Sequence, residues 1–521
     1  NYEHGLHVFA GFYHNTMRMM EGCYALWQQM RREGSYPIDF STAFQQVGND
    51  EINCTLMEMT GSAGWQPIDI SLPNNVTLFP KSVRPPDLIP EDLMLRLLVF
   101  AQHSILGWSK FPQQGGKSVL RELFDRVATS LRVLATGRAA GFAFPLPRPP
   151  RIAVRSIAKM LRGMLELSLR IEPSVRPVGR GHHQFLIGMV ALVCLIGILD
   201  DDLFGQGFDS INDQDLDDWL KRHGASREVL ESPYVRAGFD YAFAYSNGVT
   251  VPRPHRSIAA GVALRAFLRL LLTYEDSLFV NLGGGTGEVV FMPLYEVLKR
   301  KGVKFHFFHQ VDELVVDDRA ERVTSIHMTV QAETISGEPY EPRIYINTGN
   351  SPQTQKSRAC WPTEPLYDQL VDGDALAAGH RAGQSLEWAE PTTRAPRKPS
   401  KKLFVGKDFD EVVLAIPVGA LDRICGPLRE NRNLPQWGKM LDSARTISTV
   451  SAQLWLNLPF EIPSGQASLV TAYAQPFATV ANMSFLLQYE VAPAAPTEPL
   501  PKPGSATRRA IGSKTNFMTY L

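Results

Sequence analysis

Tyr2-Glu3-His4-Gly5-Leu6-His7-Val8-Phe9-Ala10-Gly11-Phe12-Tyr13-His14-Asn15 opens the chain, and its interpretation sets that of everything downstream. It places ionisable side chains beside two glycines at the head of an apolar run. A buried strand alone has no use for Glu3, His4 and His7 so close together, because each unpaired charge or imidazole taken out of water is costly. Gly5 and Gly11 let the backbone turn sharply and lie close against a flat ligand. The competing interpretation is a surface loop leading into an amphipathic helix, predicted over Met17 to Arg32.

Composition narrows the classes. At 521 residues the chain exceeds what one core usually organises, so two or more domains are expected. Hydrophobic residues at 44% and charged residues at 20% describe a globular protein with a large core. Lys plus Arg and Asp plus Glu balance at 53 each, which argues against nucleic acid as a main partner, since phosphate binding wants a basic field. Cys23, Cys54, Cys194, Cys360 and Cys425 are scattered and odd in number. They suggest reduced thiols in a cytoplasmic setting, with neither zinc nor a disulfide framework.

Helical patterns dominate after a Pro/Asn/Ser-rich crossing at 61–90 that contains a short β-type run, Thr77 to Phe79. Helices are predicted over Glu91 to Gln102, Lys117 to Leu134 and Ile152 to Leu169. The last carries Arg155, Lys159 and Arg162, with Arg170 just beyond. This basic face suits either a peripheral contact with an anionic membrane or plain solvation. The 15-residue apolar run Phe185 to Leu199 is too short to span a bilayer and suits a buried helix or the wall of an apolar substrate cavity. Asp200, Asp201 and Asp202 follow it. Adjacent carboxylates favour Mg²⁺, but a second acidic motif facing them is missing, and no metal site is assigned. Asp213, Asp215, Asp217 and Asp218 look like the charged start of a helix that Gly224 stops. Arg265 and Arg269, four apart in a helical segment from Ser257 to Glu275, either pair with acids or reach a cofactor phosphate.

Gly283-Gly284-Gly285-Thr286-Gly287 after the strand Phe279 to Leu282 invites comparison with the first motif of class I S-adenosylmethionine-dependent methyltransferases, with Asp312 as the ribose acid. Against it, a helix starting at the glycines must carry the β-branched and aromatic Val289, Val290 and Phe291, and would hold Pro293 in its interior at about 3 kcal/mol. Pro293 fits better at the first position of a helix over Leu294 to Lys301, ended by Gly302. Beyond it, a strand is predicted over Lys304 to His309, a β-meander over Val323 to Val330 and Arg343 to Asn347, and a loop from Gly373 to Lys402. A central strand is predicted over Phe409 to Pro417 and another strand over Val450 to Leu456. The tail Val491 to Pro503 is Ala/Pro-rich and expected to be extended.

Glu3-His4-Gly5-Leu6-His7 with Gly11-Phe12-Tyr13 and Asn15 resembles the segment that passes the flavin ring in phytoene-desaturase-like members of the FAD-dependent amine-oxidase superfamily. The likeness continues in order through Ile258 to Arg265, Val289 to Leu298, Cys360-Trp361-Pro362, Pro365 to Leu370, Val412 to Pro417 and Gln453 to Leu456. It implies an α/β Rossmann-like FAD-binding fold with an α+β substrate domain. The FAD-binding part would comprise 1–60 and 281–425, and a mainly helical substrate part 61–280 and 426–521. It further implies hydride transfer from an apolar, isoprenoid or lipid-like substrate to FAD, with an electron acceptor left unspecified. Glu3, His4, Gly5, Leu6 and His7 would line the flavin, Glu3 and His7 as the catalytic pair. Gly284, Gly285 and Thr286 would face it, Val311 would meet the adenine, and Ala415 and Pro417 would close the cofactor site. Two elements of the family pattern are not found: the G-x-G-x-x-G turn with its ribose acid, and the closing glycine-rich segment. The expectation is therefore an interior fragment, or a chain that has lost both ends, that holds FAD poorly or not at all, with a non-catalytic remnant as a further alternative.

Overall fold

The structure, a computed structural model, describes residues 7–30, 38–46, 54–60, 64–70, 90–106, 116–139, 151–170, 180–246, 255–274, 277–319, 322–348, 356–386, 400–456, 469–471, 479–483, 486 and 517–520, with gaps at 336, 385, 445 and 448–449. In chain order, β1 (Val8–Ala10) turns into α1 (His14–Gln29), and α2 (Phe40–Ala43) runs into β2 (Phe44–Gln46). A hairpin of β3 (Cys54–Thr60) and β4 (Gly64–Ile70) precedes four long helices, α3 (Pro90–Leu106), α4 (Gly116–Ala139), α5 (Arg151–Leu169) and α6 (Arg180–Asp200). Shorter helices follow, α7 (Leu216–Arg222), α8 (Pro233–Tyr241) and α9 (Ala260–Leu272). Then come β5 (Phe279–Leu282), α10 (Met292–Arg300), β6 (His309–Val316), β7 (Val323–Val330), β8 (Ile344–Thr348), β9 (Lys356–Cys360), α11 (Gly373–Arg381) and β10 (Ser400–Phe404). The chain closes with α12 (Pro435–Ser443), β11 (Gln453–Leu456), β12 (Leu469–Thr471), β13 (Thr479–Asn482) and β14 (Phe517–Tyr520).

The largest core lies among α3 to α9. Helix α6 is apolar around most of its surface because most of it is covered: Leu192, Val193, Leu195 and Ile196 are all fully buried, and Ile187, Val190 and Cys194 are partly buried against the same core. Each such side chain contributes about 1.5–3 kcal/mol through removal from water. The predicted 15-residue run has grown at both ends into a helix whose stretch Gly181–Asp200 is long and apolar enough to cross a membrane. Two thirds of that stretch is buried inside the protein, which is the setting of a core helix. Gly224 follows α7 with φ near +100°, and Gly302 follows α10 with φ near +90°. Ala225 N–H reaches Leu220 O and Val303 N–H reaches Leu298 O, so both helices end as the glycines lead one to expect.

The fold mixes helix and sheet, and among the described residues four small sheets form, with strand orders β1-β5-β2, β10-β7-β6, β11-β14-β13-β12-β3-β4 and β8-β9. All of their pairings are antiparallel except β12 with β3. The six-stranded sheet joins 54–70 to the C-terminal strands. It leans on α8 through Leu56, Ile68 and Ala237, and Thr471 Oγ1 donates to Tyr241 OH at 2.7 Å.

Several expectations need correction. Lys304 to Phe308 is not a strand, because Phe305 and Phe307 turn onto Tyr295 and Phe308 takes a positive φ of 57°, which breaks the extended run. The strand begins only at His309. Residues 409–417 form no strand: Val412, Leu414 and Ile416 face inward while Val413 is 92% exposed, and among the described residues the segment's one bridge is the local pairing of Phe409 with Val405. Alternation was there, but a central strand needs partners on both edges. The meander is not formed either, since β7 pairs with β6 and β10, whereas β8 pairs with β9. The expected loop from Gly373 contains α11 and runs into β10. Thr77 to Phe79 and Val491 to Pro503 lie outside the described residues.

Candidate functional site

The site is built where the opening stretch meets the glycine run. Strand β1 pairs with β5 in the register Val8↔Asn281, Phe9↔Val280 and Ala10↔Phe279. That register sets His7, which is exposed, at the end of the pair from which β5 runs on into Gly283. Gly11 N–H then bonds Leu278 O, and Tyr13 N–H bonds Ala10 O, turning the chain tightly into α1. On the other edge of β5, β2 pairs Phe44↔Leu282, and Gly283 N–H donates to Ala43 O at 2.9 Å. Phe9, Tyr24, Phe40 and Phe44 form an aromatic cluster beneath, with Phe40 and Phe44 stacked at 5.0 Å.

The glycines owe their size to protein contacts. A Cβ on Gly283 would sit 2.0 Å from Thr42 O, and one on Gly284 would sit 2.6 Å from Glu288 Oε2 and 3.0 Å from Val289 Cγ1. Glu288 forms a largely buried ion pair with Arg358 at 3.0 Å. Cys360 Sγ stands 3.7 Å from Glu288 Oε1 and 3.3 Å from Trp361 O. The side-chain face of Gly284 is thus turned toward a charged, protein-filled pocket, and Gly285 and Thr286 remain half-buried at the rim.

After the turn the backbone keeps winding. Residues Gly287–Phe291 form a π-helical turn that passes directly into α10, with Pro293 in its first turn. Sequence reasoning placed Val289, Val290 and Phe291 outside any helix. It missed that a wide turn relaxes the crowding and accommodates the N–H that Pro293 lacks. The carbonyl four residues before Pro293 belongs to Val289, and Tyr24 OH donates to it at 2.8 Å. Burial pushes the Tyr24 phenol well above its ordinary value, so it acts purely as a donor.

Glu3, His4, Gly5 and Leu6 lie outside the described residues. The other expected site residues fall into two groups. His7, Gly284, Gly285 and Thr286 gather about the end of β5. Val311 packs instead against the cluster of Leu314, Leu421, Ile424 and Cys425, where Leu414 and Ile416 also lie. Ala415 and Pro417 point to solvent from that same extended segment. Arg358, Glu288 and Tyr24 were not singled out in sequence, because a lone charge in a strand and a tyrosine in a helix carry no spacing signal.

The acidic run after α6 is held by protein donors. Asp201 accepts from Trp219 Nε1 at 2.7 Å, from both Arg222 terminal nitrogens at 2.9 and 2.6 Å, and lies 3.2 Å from His223 Nε2. Burial pushes Asp201 up, but the bonds from Arg222 and Trp219 and the His223 charge outweigh it and leave its carboxyl below the usual range. Asp200 pairs with Arg162 and lies 3.3 Å from His223 Nδ1. Arg265 pairs with Asp209 at 3.0 Å. No family model, no curated protein and no solved structure matches the chain.

Proposed function

We propose that the chain is a desaturase-like flavoprotein oxidoreductase acting on an apolar, isoprenoid or lipid-like substrate. The observation that supports this is the β1–β5 pairing, which sets Val8 to Ala10 of the opening stretch beside the strand that runs into the glycine turn. A bound flavin would supply a hydride acceptor. The residues fit it in part: Gly285 and Thr286 are half-buried and His7 is exposed, whereas Gly283 and the side-chain face of Gly284 are closed by Thr42 and Glu288. His7 would orient the ring edge, and the Glu288–Arg358 pair would hold the turn in shape. The basic outer face of α5, with Arg155 and Lys159 exposed, suits peripheral attachment to an anionic membrane.

The methyltransferase alternative draws support from the strand, glycine turn and helix in succession. It also needs β5 and β6 as parallel neighbours, and β5 is flanked by β1 and β2, both antiparallel. Thermal unfolding with FAD and with S-adenosylmethionine in separate runs tests the choice. A ligand at a hundred times its dissociation constant stabilises by about 2.7 kcal/mol. Stabilisation by FAD is expected. Stabilisation by the methyl donor alone, or by neither, removes the flavoprotein reading. His7→Ala should weaken the FAD shift, measured against the variant's own unliganded midpoint.

A further inference from the structure

A line of side chains on the sheet of β6, β7 and β10 has no part in the site above. On β7, Ser325 and His327 are two residues apart, so the pleat puts both on one face, and Glu313 of β6 is the cross-strand partner of His327. Ser325 Oγ lies 3.2 Å from His327 Nε2, and His327 Nδ1 lies 3.2 Å from Glu313 Oε2. The intervening residues Leu314 and Ile326 pack against the Leu421 cluster, which gives the sheet a firm back. The front looks outward: the Glu313 side chain is 44% exposed, and Lys402 and Phe404 of β10, paired with His327 and Ser325, are both exposed.

This is the arrangement of hydroxyl, imidazole and carboxylate that activates a nucleophile. The carboxylate beside Nδ1 keeps the ring proton there, so Nε2 turns its lone pair to the serine hydroxyl. Both distances fall at the upper end of the roughly 2.6–3.2 Å reach expected of a nucleophile and its base. Ser325 is itself 5% exposed, between Val315 and Phe404, so the hydroxyl is shielded from water. Phe404, on the outer strand of the sheet among the described residues and 47% exposed, is the side chain that substrate would have to displace to reach Ser325.

We propose that Ser325, His327 and Glu313 form a second reactive centre that cleaves activated esters of small apolar acyl groups. Ser325 Oγ bonds to the acyl carbon as its proton passes to His327 Nε2. The ester C–O bond then breaks, and the leaving oxygen takes that proton. Water attacks the acyl-serine and gives a proton to His327, which returns it to Ser325 as the carboxylic acid departs. Glu313 stays ionised and steadies the imidazolium. Lys402, the cross-strand partner of His327, adds a positive charge to the same face.

This centre is independent of the flavin reading and is tested separately. The full chain is treated with an alkyl fluorophosphonate, the modified peptide is located by mass spectrometry, and p-nitrophenyl butyrate hydrolysis is followed in parallel. Expected is one adduct on Ser325, absent from Ser325→Ala, with His327→Gln labelled at least about tenfold more slowly. No adduct at Ser325, or equal labelling rates for His327→Gln and the parent, overturns the proposal. If Ser325→Ala does not fold, Glu313→Gln at its solvent-exposed position decides: a slower adduct rate supports the triad, and an unchanged rate overturns it.

Discussion

Replacing Gly283 by alanine separates two reasons a glycine can stand at the end of β5. Its φ is not in the left-handed region, so alanine suits the backbone, and any cost is steric. The new Cβ would lie 2.0 Å from Thr42 O, more than an ångström inside contact. Thr42 cannot give way cheaply, because its N–H is held by the Asp39 carboxylate at 2.7 Å and its carbonyl accepts from Gln45 Nε2 at 3.1 Å. The α2–β2 segment must therefore move as a unit, straining the Gly283 to Ala43 bond and lifting Phe44 from its aromatic cluster. Overpacking of this kind costs about 1–3 kcal/mol. At tenfold per 1.4 kcal/mol, the amides of β2 and β5 should lose roughly 5- to 150-fold in hydrogen-exchange protection. Gly22→Ala is the matched control: it lies inside α1 with nothing within 4 Å of a Cβ, so it should stabilise that helix by about 0.5–1 kcal/mol. Protection of β2 and β5 within twofold of the parent in Gly283→Ala would refute the packing argument and return the glycine to a ligand-contact role.

Other outcomes follow from single contacts. Tyr24→Phe removes the donor to Val289 O and should cost about 0.5–1.5 kcal/mol in urea unfolding, whereas an unchanged midpoint means the carbonyl finds another partner. Arg256 bonds Leu230 O at 2.9 Å and faces Asp217 and Glu231 at 3.2 and 3.3 Å with its own side chain 10% exposed, so Arg256→Leu should destabilise the protein by about 1.5–3 kcal/mol. A loss below about 1 kcal/mol would show that solvent replaces it. Burial, with the neighbouring His182 charge second, lowers the His183 pKa to about 4 from its ordinary 6.5. The unfolded chain then binds the extra proton first, so this contribution to stability is full above pH 6.5 and is lost as pH falls toward 4. His183→Phe should flatten the stability profile across that window, and an identical slope in the variant would exclude His183 as its source.

Local patterning made much of the chain legible. The helices within 90–169, the Gly224 and Gly302 stops and the span of β7 follow from residue spacing, because burial on one face repeats with the period of the element. The fate of Phe409 to Pro417 was not legible, since an inward-facing alternation looks the same in a paired strand and in an extended segment laid on a cluster. Nor was the π-helical turn before Pro293, whose Val289 carbonyl accepts from a tyrosine 265 positions away in the chain.

The sequence alone determined which segments are apolar, where helices stop, and that the opening residues and the glycine run are unusual, because composition and spacing are properties of neighbours along the chain. Packing in three dimensions set β1 against β5, filled the space the glycines leave with Thr42 and Glu288, and brought Ser325, His327 and Glu313 into line. Those are contacts between residues far apart in sequence or across strands, and they depend on register and burial that no local pattern encodes.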